Sequence, residues 1–160
     1  MTTATELKTL QPVVAGPADD RAPFPIGFGG HSLQVKVTGA DSGGNFALGY
    51  LTAGPMSGPP LHMHTREDEW FYILKGEMTF QVGNERITAG PGTSIFAPRY
   101  VPHTWQNLTD EPVEALALVT PSNFENFLAE MTQAKGDTAA LQEATKRYGN
   151  VVMGPPLSRG

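Results

Sequence analysis

The sequence predicts an all-β fold, a β-sandwich or barrel of short antiparallel strands followed by two C-terminal helices. Between residues 31 and 120, short runs of alternating apolar and polar residues recur at regular spacing, as in half-buried strands. Turn-forming clusters separate these runs, and the chain contains 18 Gly and 14 Pro. After residue 120, apolar residues repeat at helical spacing instead. A chain of 160 residues is long enough for one domain with its own core.

The strands follow one another in the order of the alternating runs. We predict them over residues 31–39, 46–52, 69–74, 78–82, 85–88, 93–97 and 113–119. The run over residues 69–74 is apolar at every position except Glu69, which is typical of a strand covered on both faces.

Residues 1–30 are predicted to form an irregular N-terminal arm. Four prolines, Pro12, Pro17, Pro23 and Pro25, exclude a long helix there. Two interpretations stay open: the arm packs on the body or on a second subunit, or it forms a lid over a pocket mouth. The predicted organisation is therefore an arm over 1–30, a barrel over 31–120, and helices with a tail over 121–160 in the same domain.

Two helices are predicted after the barrel. Ser122 and Glu125 have the spacing of a capping box, and Asp137 is placed to cap a second helix that ends at Gly149. The apolar positions at helical spacing in the first helix are Phe124, Phe127, Leu128 and Met131. These helices either cover the barrel or narrow the entrance to a pocket within it.

Composition excludes several classes of partner. A net charge of −5 and a pI near 5.3 disfavour nucleic acid and anionic membranes as partners. The chain has no Cys, so a disulfide framework and a thiolate metal site are excluded. The N-terminus lacks the basic and apolar regions of a secretory signal, and no stretch is long and apolar enough to span a bilayer. We therefore expect a cytoplasmic protein.

His62 and His64 are the strongest candidates for metal ligands. Two residues apart on a strand, they present both imidazoles on one face. Glu69 lies at an odd offset from His64, so the polar run over residues 65–68 must break the register to bring it to the same side. Two imidazoles and a carboxylate on one face favour a divalent transition metal, and His103 is the candidate for a fourth ligand.

Two motifs in this region resemble those of the cupin superfamily. The first is His62-x-His64-x4-Glu69-x6-Gly76, and the second is Gly92-x5-Pro98-x4-His103-x3-Asn107. The resemblance covers about residues 31–120, and the C-terminal part further resembles small cupins of the quercetin 2,3-dioxygenase-like group.

The resemblance implies a jelly-roll β-barrel of two antiparallel sheets with one divalent metal ion per chain. The implied ligands are His62, His64, Glu69 and His103, and the ion could be Fe, Mn, Ni, Co, Cu or Zn. It further implies a dioxygenase that acts with O2 on a flavonol-like or other enolisable aromatic compound, with Glu69 as the catalytic base. Two alternatives stay open: a non-redox isomerase, cyclase or decarboxylase of secondary metabolism, and a small-molecule-binding cupin without turnover.

The residues beside the predicted ligands indicate the kind of substrate. Phe71 and Ile73 follow Glu69 on its face, and Trp105 shares the face of His103. This lining suits an apolar or phenolic substrate, although a small barrel fills its interior with the same residue types.

Two further expectations concern individual positions. Tyr100 occupies a place where the family usually has Gly, in a turn that favours positive φ. Trp70, Tyr72 and Leu74 alternate with the ligand face and need cover. We expect that cover from a second copy in a homodimer, or else from the second sheet of the same chain.

Overall fold

The computed structural model describes residues 9–159, which form two antiparallel sheets packed face to face with two helices against them. This confirms the predicted jelly-roll fold. The first sheet has the strand order β1-β2-β3-β10-β5-β8, with β1 Ile26–Phe28, β2 His31–Val37, β3 Ala47–Ala53, β10 Val113–Thr120, β5 Asp68–Lys75 and β8 Ser94–Ala97. The second has the order β11-β4-β9-β6-β7, with β11 Asn150–Gly154, β4 Leu61–His64, β9 His103–Gln106, β6 Met78–Val82 and β7 Glu85–Ala89.

The chain changes sheet between His64 and Glu69. Strand β4 belongs to the second sheet and β5 to the first, so residues 65–67 carry the chain across the sandwich. The inner faces of two packed sheets point at each other, which explains how Glu69 lies opposite the histidines despite its odd offset. A crossing between sheets, and not a register break within one strand, produces this arrangement.

The main core fills the space between the sheets. Phe71 and Ile73 from β5 pack with Met78 and Phe80 from β6 and with Trp105 from β9. All five side chains are buried, and Phe71 and Phe80 lie with their ring centroids 5.2 Å apart.

The outer face of β5 lacks the cover that its apolar sequence predicts. Trp70 and Tyr72 are only half-buried, and Leu74 is 40% exposed. The second sheet packs on the other face, where Phe71 and Ile73 lie, so it cannot supply the cover. Of the two sources of cover that the sequence leaves open, the second sheet of the same chain is therefore excluded.

The N-terminal arm is less irregular than its prolines indicate. Its last residues form β1, which pairs with β2 in the register Ile26↔Leu33. The Ile26 side chain is buried and packs with Val35 and Ala129, and the Arg21 amide donates to the Val35 carbonyl at 2.9 Å. Residues 1–8 of the predicted arm lie outside the described residues.

Both predicted helices form, but the first is capped differently. Helix α1 spans Phe124–Gln133 with Asn123 at its N-cap, and the Asn123 side chain accepts from the Asn126 side chain at 2.8 Å but from no backbone amide of the helix. The Glu125 carboxylate instead accepts from the amides of Gly39 at 3.0 Å and Asn123 at 2.9 Å. The predicted capping box between Ser122 and Glu125 does not form because the N-cap is Asn123, although Glu125 still accepts from the N-cap amide.

Helix α2 spans Thr138–Tyr148 and follows the prediction at both ends. The Asp137 carboxylate accepts from the Ala139 and Ala140 amides, and Gly149 ends the helix at φ 71°. Directly after it comes a strand that the sequence does not predict: β11 pairs antiparallel with β4, the strand of the two histidines. Among the described residues, no helix is long and apolar enough to cross a membrane.

Candidate metal centre

Four predicted ligands from three strands meet inside the sandwich. His62 and His64 lie on β4, His103 on the neighbouring β9, and Glu69 on β5 of the facing sheet. All four side chains are buried, and one ligand atom from each lies within 4.8 Å of the others. The cluster could hold a metal ion.

The carboxylate of Glu69 lies among the imidazoles. Its Oε2 atom is 3.2 Å from His103 Nε2 and 3.5 Å from His64 Nε2. The His62 ring centroid is 5.0 Å from that of His64 and 4.7 Å from that of His103. Three nitrogen donors and one oxygen donor so arranged suit a divalent first-row metal and leave coordination positions for a substrate or water.

Backbone carbonyls orient two of the imidazoles. His62 Nδ1 lies 2.8 Å from the Pro60 carbonyl oxygen, and His103 Nδ1 lies 2.9 Å from that of Val101. A carbonyl only accepts, so Nδ1 carries the proton in each ring. Nε2 is then the atom with a free lone pair, and a neutral imidazole of this kind is a metal ligand.

The ring of His64 faces a carboxylate, whereas the rings of His62 and His103 face backbone carbonyls. Its Nδ1 is 3.6 Å from Oε2 of Glu67, which is 3% exposed although the polar run around it reads as a solvated turn. That oxygen and both ring nitrogens of His64 are buried without a hydrogen-bond partner. Buried polar atoms rarely stay unpaired, so the donor set fits a cation held by His64 Nε2 with Glu67 behind the ring.

The pKa values of the cluster reflect burial and close opposite charges. Burial, with the neighbouring His103 and His64, lowers the pKa of His62 to about 4. Burial also acts to lower the pKa of His64, but Glu67 and Glu69 outweigh it and raise that pKa to about 9. Burial acts to raise the pKa of Glu69, but His103 and His64 outweigh it and hold the pKa well below its usual range. His62 and Glu69 are thus in their ligand forms at neutral pH, whereas a metal must displace a proton from His64.

The loop before His103 is fixed to the rest of the site. Tyr100 adopts φ 65°, the left-handed conformation for which the family's Gly is suited, and its amide donates to the His64 carbonyl at 2.8 Å. Arg99 forms a two-pronged ion pair with Asp68, and this contact lowers the pKa of Asp68. The loop therefore tolerates Tyr100 in this conformation while it holds His103 in place.

An apolar cavity opens beside the cluster, with His62 and Glu69 in its wall. Of the predicted substrate-binding residues, Phe71 and Trp105 line it. Ile73 is fully buried in the main core and is not among the lining residues. It shares the face of Glu69, but it lies four residues farther along β5, in the same core cluster as Met78 and Val113.

Much of the cavity wall is formed by elements other than the strands that carry the two sequence motifs. Strand β1 contributes Ile26, and helix α1 contributes Phe124, Phe127, Leu128 and Met131. Phe124 also packs edge-on to the His64 ring at a centroid distance of 4.4 Å. The helical spacing predicts that these α1 residues are buried, but only the tertiary fold places them beside the metal ligands.

Asn150 of β11 is the lining residue that sequence reasoning missed most completely. Its side chain is buried, and it lies beside His64 in the register of β11 and β4. The only sequence signal is its position directly after the helix-ending Gly149, which marks a change of element but gives no indication of a strand.

Comparisons with known proteins agree with the fold and the motifs. A family model described as "Cupin domain" matches residues 49–119, which is less than half of the chain. A curated relative, the uncharacterized protein MJ1618 of Methanocaldococcus jannaschii, is 31% identical over 61 residues. That match covers 38% of this chain and about half, 49%, of the relative. These matches agree with the resemblance of the two motifs to those of the cupin superfamily.

Solved structures of the same fold are similar over more than half of the chain. A predicted oxalate decarboxylase from Thermotoga maritima has a TM-score of 0.55 at 22% identity, over 57% of this chain and 80% of that one. KdgF from Halomonas sp. has a TM-score of 0.53 at 17% identity, over 59% and 81%. An RmlC-like cupin from Shewanella frigidimarina has a TM-score of 0.52 at 18% identity, over 60% and 80%. At these identities the likeness is one of fold.

Proposed function

We propose that the protein is a metal-dependent dioxygenase of quercetinase type that oxidises a flavonol-like or other enolisable aromatic compound with O2. The observation that carries this proposal is the contact between an apolar, aromatic-walled cavity and the cluster of His62, His64, Glu69 and His103. A substrate in the cavity would reach the metal centre through the side where His62 and Glu69 form the wall. One divalent ion per chain, of Fe, Mn, Ni, Co, Cu or Zn, is the proposed cofactor.

The charge of the cavity wall supports an uncharged aromatic substrate. Among the described residues that line the cavity there is no Lys or Arg, whereas Glu69 and Glu125 are present. Phosphates and small dicarboxylates are commonly bound through paired cationic side chains. A phenolic compound needs instead an apolar wall and a few polar contacts, and Phe71, Trp105 and Phe124 offer aromatic surface.

The proposed chemistry begins with proton transfer from the substrate to Glu69. When bound, a divalent metal supplies Lewis-acid and redox chemistry at the end of the cavity. Glu69 lies in the cavity wall, so its carboxylate is placed to accept the proton of a substrate hydroxyl. Phe71 and Trp105 orient the aromatic rings and exclude water while that proton is transferred.

The test is O2 consumption by protein of assayed metal content with a panel of flavonols. The matched control is the parent flavone, which lacks the enolisable hydroxyl group. We expect O2 uptake and loss of the flavonol absorbance with flavonols only, and no uptake after the metal is removed by a chelator. Metal-loaded protein that consumes no O2 with any flavonol would contradict the proposal.

Two other outcomes correspond to the remaining functions. Conversion of a substrate without O2 uptake would favour a non-redox isomerase, cyclase or decarboxylase. Binding without any conversion would favour a small-molecule-binding module. We also propose, from the net charge of −5, that the protein has no nucleic-acid or membrane partner. The proposed location is the cytoplasm.

A further inference from the structure

Asn150 points into the sandwich next to a predicted metal ligand. In the ladder between β11 and β4, Asn150 lies opposite His64 and Val152 opposite His62. Residues that oppose each other in an antiparallel pair project from the same face of the sheet. Asn150 therefore shares the inner face of His62 and His64, and it is part of the cavity wall.

The side chain of Asn150 is buried, but the fold does not use its amide oxygen. Asn150 is 8% exposed, and its Oδ1 atom has no hydrogen-bond partner. Asn107 is the informative contrast, because it is also buried and all of its groups are used. Its Nδ2 atom donates to three backbone carbonyls, and its Oδ1 atom accepts from the Thr109 amide.

An unpaired amide oxygen in such a wall destabilises the protein unless a ligand pairs with it. The surrounding wall offers little alternative, since it is formed largely by apolar residues such as Phe124, Phe127 and Val119. A polar group that the fold leaves unpaired in an apolar cavity is what orients and selects a ligand in many binding sites.

We propose that Asn150 Oδ1 accepts a hydrogen bond from a hydroxyl group of the substrate, apart from the group that binds at the metal centre. The preferred substrate class is then a polyhydroxylated aromatic compound, and Asn150 is a specificity-determining residue. This inference rests on the proposed function, because it assumes an aromatic substrate in this cavity.

The first test measures thermal stability without ligand. Asn150→Leu removes the unpaired amide and keeps the branched shape of the side chain, so its melting temperature should equal or exceed that of the wild type. Asn107→Leu is the matched control and should melt at least about 4 °C lower, because it leaves several buried partners unpaired. A comparable loss of stability in Asn150→Leu would assign Asn150 a structural role and overturn the proposal.

The second test measures ligand selectivity on Zn²⁺-loaded protein, since redox-inert Zn²⁺ keeps the ligand intact during the titration. The probes are 3-hydroxyflavone and quercetin, which carries additional hydroxyl groups, and binding is followed by Trp fluorescence. Wild type should prefer quercetin by about tenfold, the factor expected for one hydrogen bond. Asn150→Leu should lose that preference and bind 3-hydroxyflavone as the wild type does.

A preference for quercetin that persists in Asn150→Leu would overturn the inference, as would wild-type protein that binds neither probe or both equally. Failure of the proposed function gives a different result: the selectivity pattern is as expected, but O2 is not consumed when a redox-active metal replaces Zn²⁺.

Discussion

Glu69 is the residue at which metal binding and chemistry can be separated. In Glu69→Gln, the amide oxygen can still bind a metal, but the group cannot accept a proton at neutral pH. General-base assistance contributes about 10²- to 10⁴-fold to rate. We therefore expect kcat with an identified substrate to fall at least about a hundredfold at matched metal occupancy.

Glu85→Gln is the matched control for this variant, because Glu85 is exposed on β7. It should retain wild-type turnover. If metal-loaded Glu69→Gln turned substrate over at a near-normal rate, the base role would be removed and pure Lewis-acid catalysis would be favoured.

Glu67 allows a test of how the carboxylate behind a ligand affects metal affinity. In Glu67→Gln, the side chain keeps an oxygen that can lie beside His64 Nδ1, but the negative charge that supports the imidazole is lost. Partners of this kind typically contribute about 10- to 100-fold to metal affinity, and we expect a loss in that range by competition with a chelator. An unchanged affinity would show that Glu67 is buried for another reason.

Spacing in the sequence predicts which residues form the metal cluster, but it does not predict what surrounds them. The two motifs place His62, His64, Glu69 and His103, and all four meet. Glu67 reads as part of a solvated turn because its neighbours in sequence are polar, and only the tertiary fold buries it. Asn150 is missed for the same reason, since only its pairing with β4 brings it inside.

At the scale of elements, β11 is the main backbone partner of β4, the strand that carries the candidate ligands His62 and His64. Strand β4 pairs with β9 only at His62↔His103, whereas β11 pairs with it along its whole length. The Thr65 amide also donates to the Gly149 carbonyl at 2.9 Å, so the end of α2 is tied to the same region. The C-terminal segment therefore holds β4 in position.

Truncation after Gly149 should loosen β4 and weaken metal binding by at least about tenfold, an effect of the size seen when supporting partners of ligands are lost. Truncation after Gly154 is the matched control and should bind metal as the full chain does, because β11 is retained. Circular dichroism checks that both proteins fold. Equal metal affinity in the two truncations would contradict this role of β11.

The strands predicted over residues 31–120 have approximately correct bounds, whereas β1 and β11, one edge strand of each sheet, are missed. Apolar and polar residues alternate along the strands over residues 31–120 because one face of each strand is buried, and this leaves a periodic signal in the sequence. Strand β1 has only three residues after a run of prolines, and β11 has an exposed middle over Val151, Val152 and Met153. Both strands form because they pair with a neighbouring strand, and such pairing leaves little periodicity of apolar residues in the sequence.

At the scale of the whole molecule, β5 and β8 carry apolar residues on the outer face of the first sheet that no other described residues cover. Phe96 of β8 is 59% exposed opposite the half-buried Trp70, and Leu74 is 40% exposed on the same face. Adjacent exposed apolar residues of this kind are typical of an interaction surface. We predict a homodimer that buries this face.

The variant Leu74→Glu/Phe96→Glu should be a monomer by light scattering at micromolar concentration, where the wild type should have twice the chain mass. Ile87→Glu is the matched control: Ile87 is an exposed apolar residue on β7 of the other sheet, and its variant should remain a dimer. A monomeric wild type would contradict the prediction.

The account depends most directly on the metal centre, and elemental analysis of the purified protein tests it. We predict about one divalent transition-metal ion per chain in the wild type, the expected loading of a single site with three imidazoles and one carboxylate. His64→Ala removes a central ligand, so its site should be empty or very weakly occupied at the same metal concentration. Full metal occupancy in His64→Ala, or a wild type that takes up no transition metal, would contradict the assignment of this cluster as a metal centre.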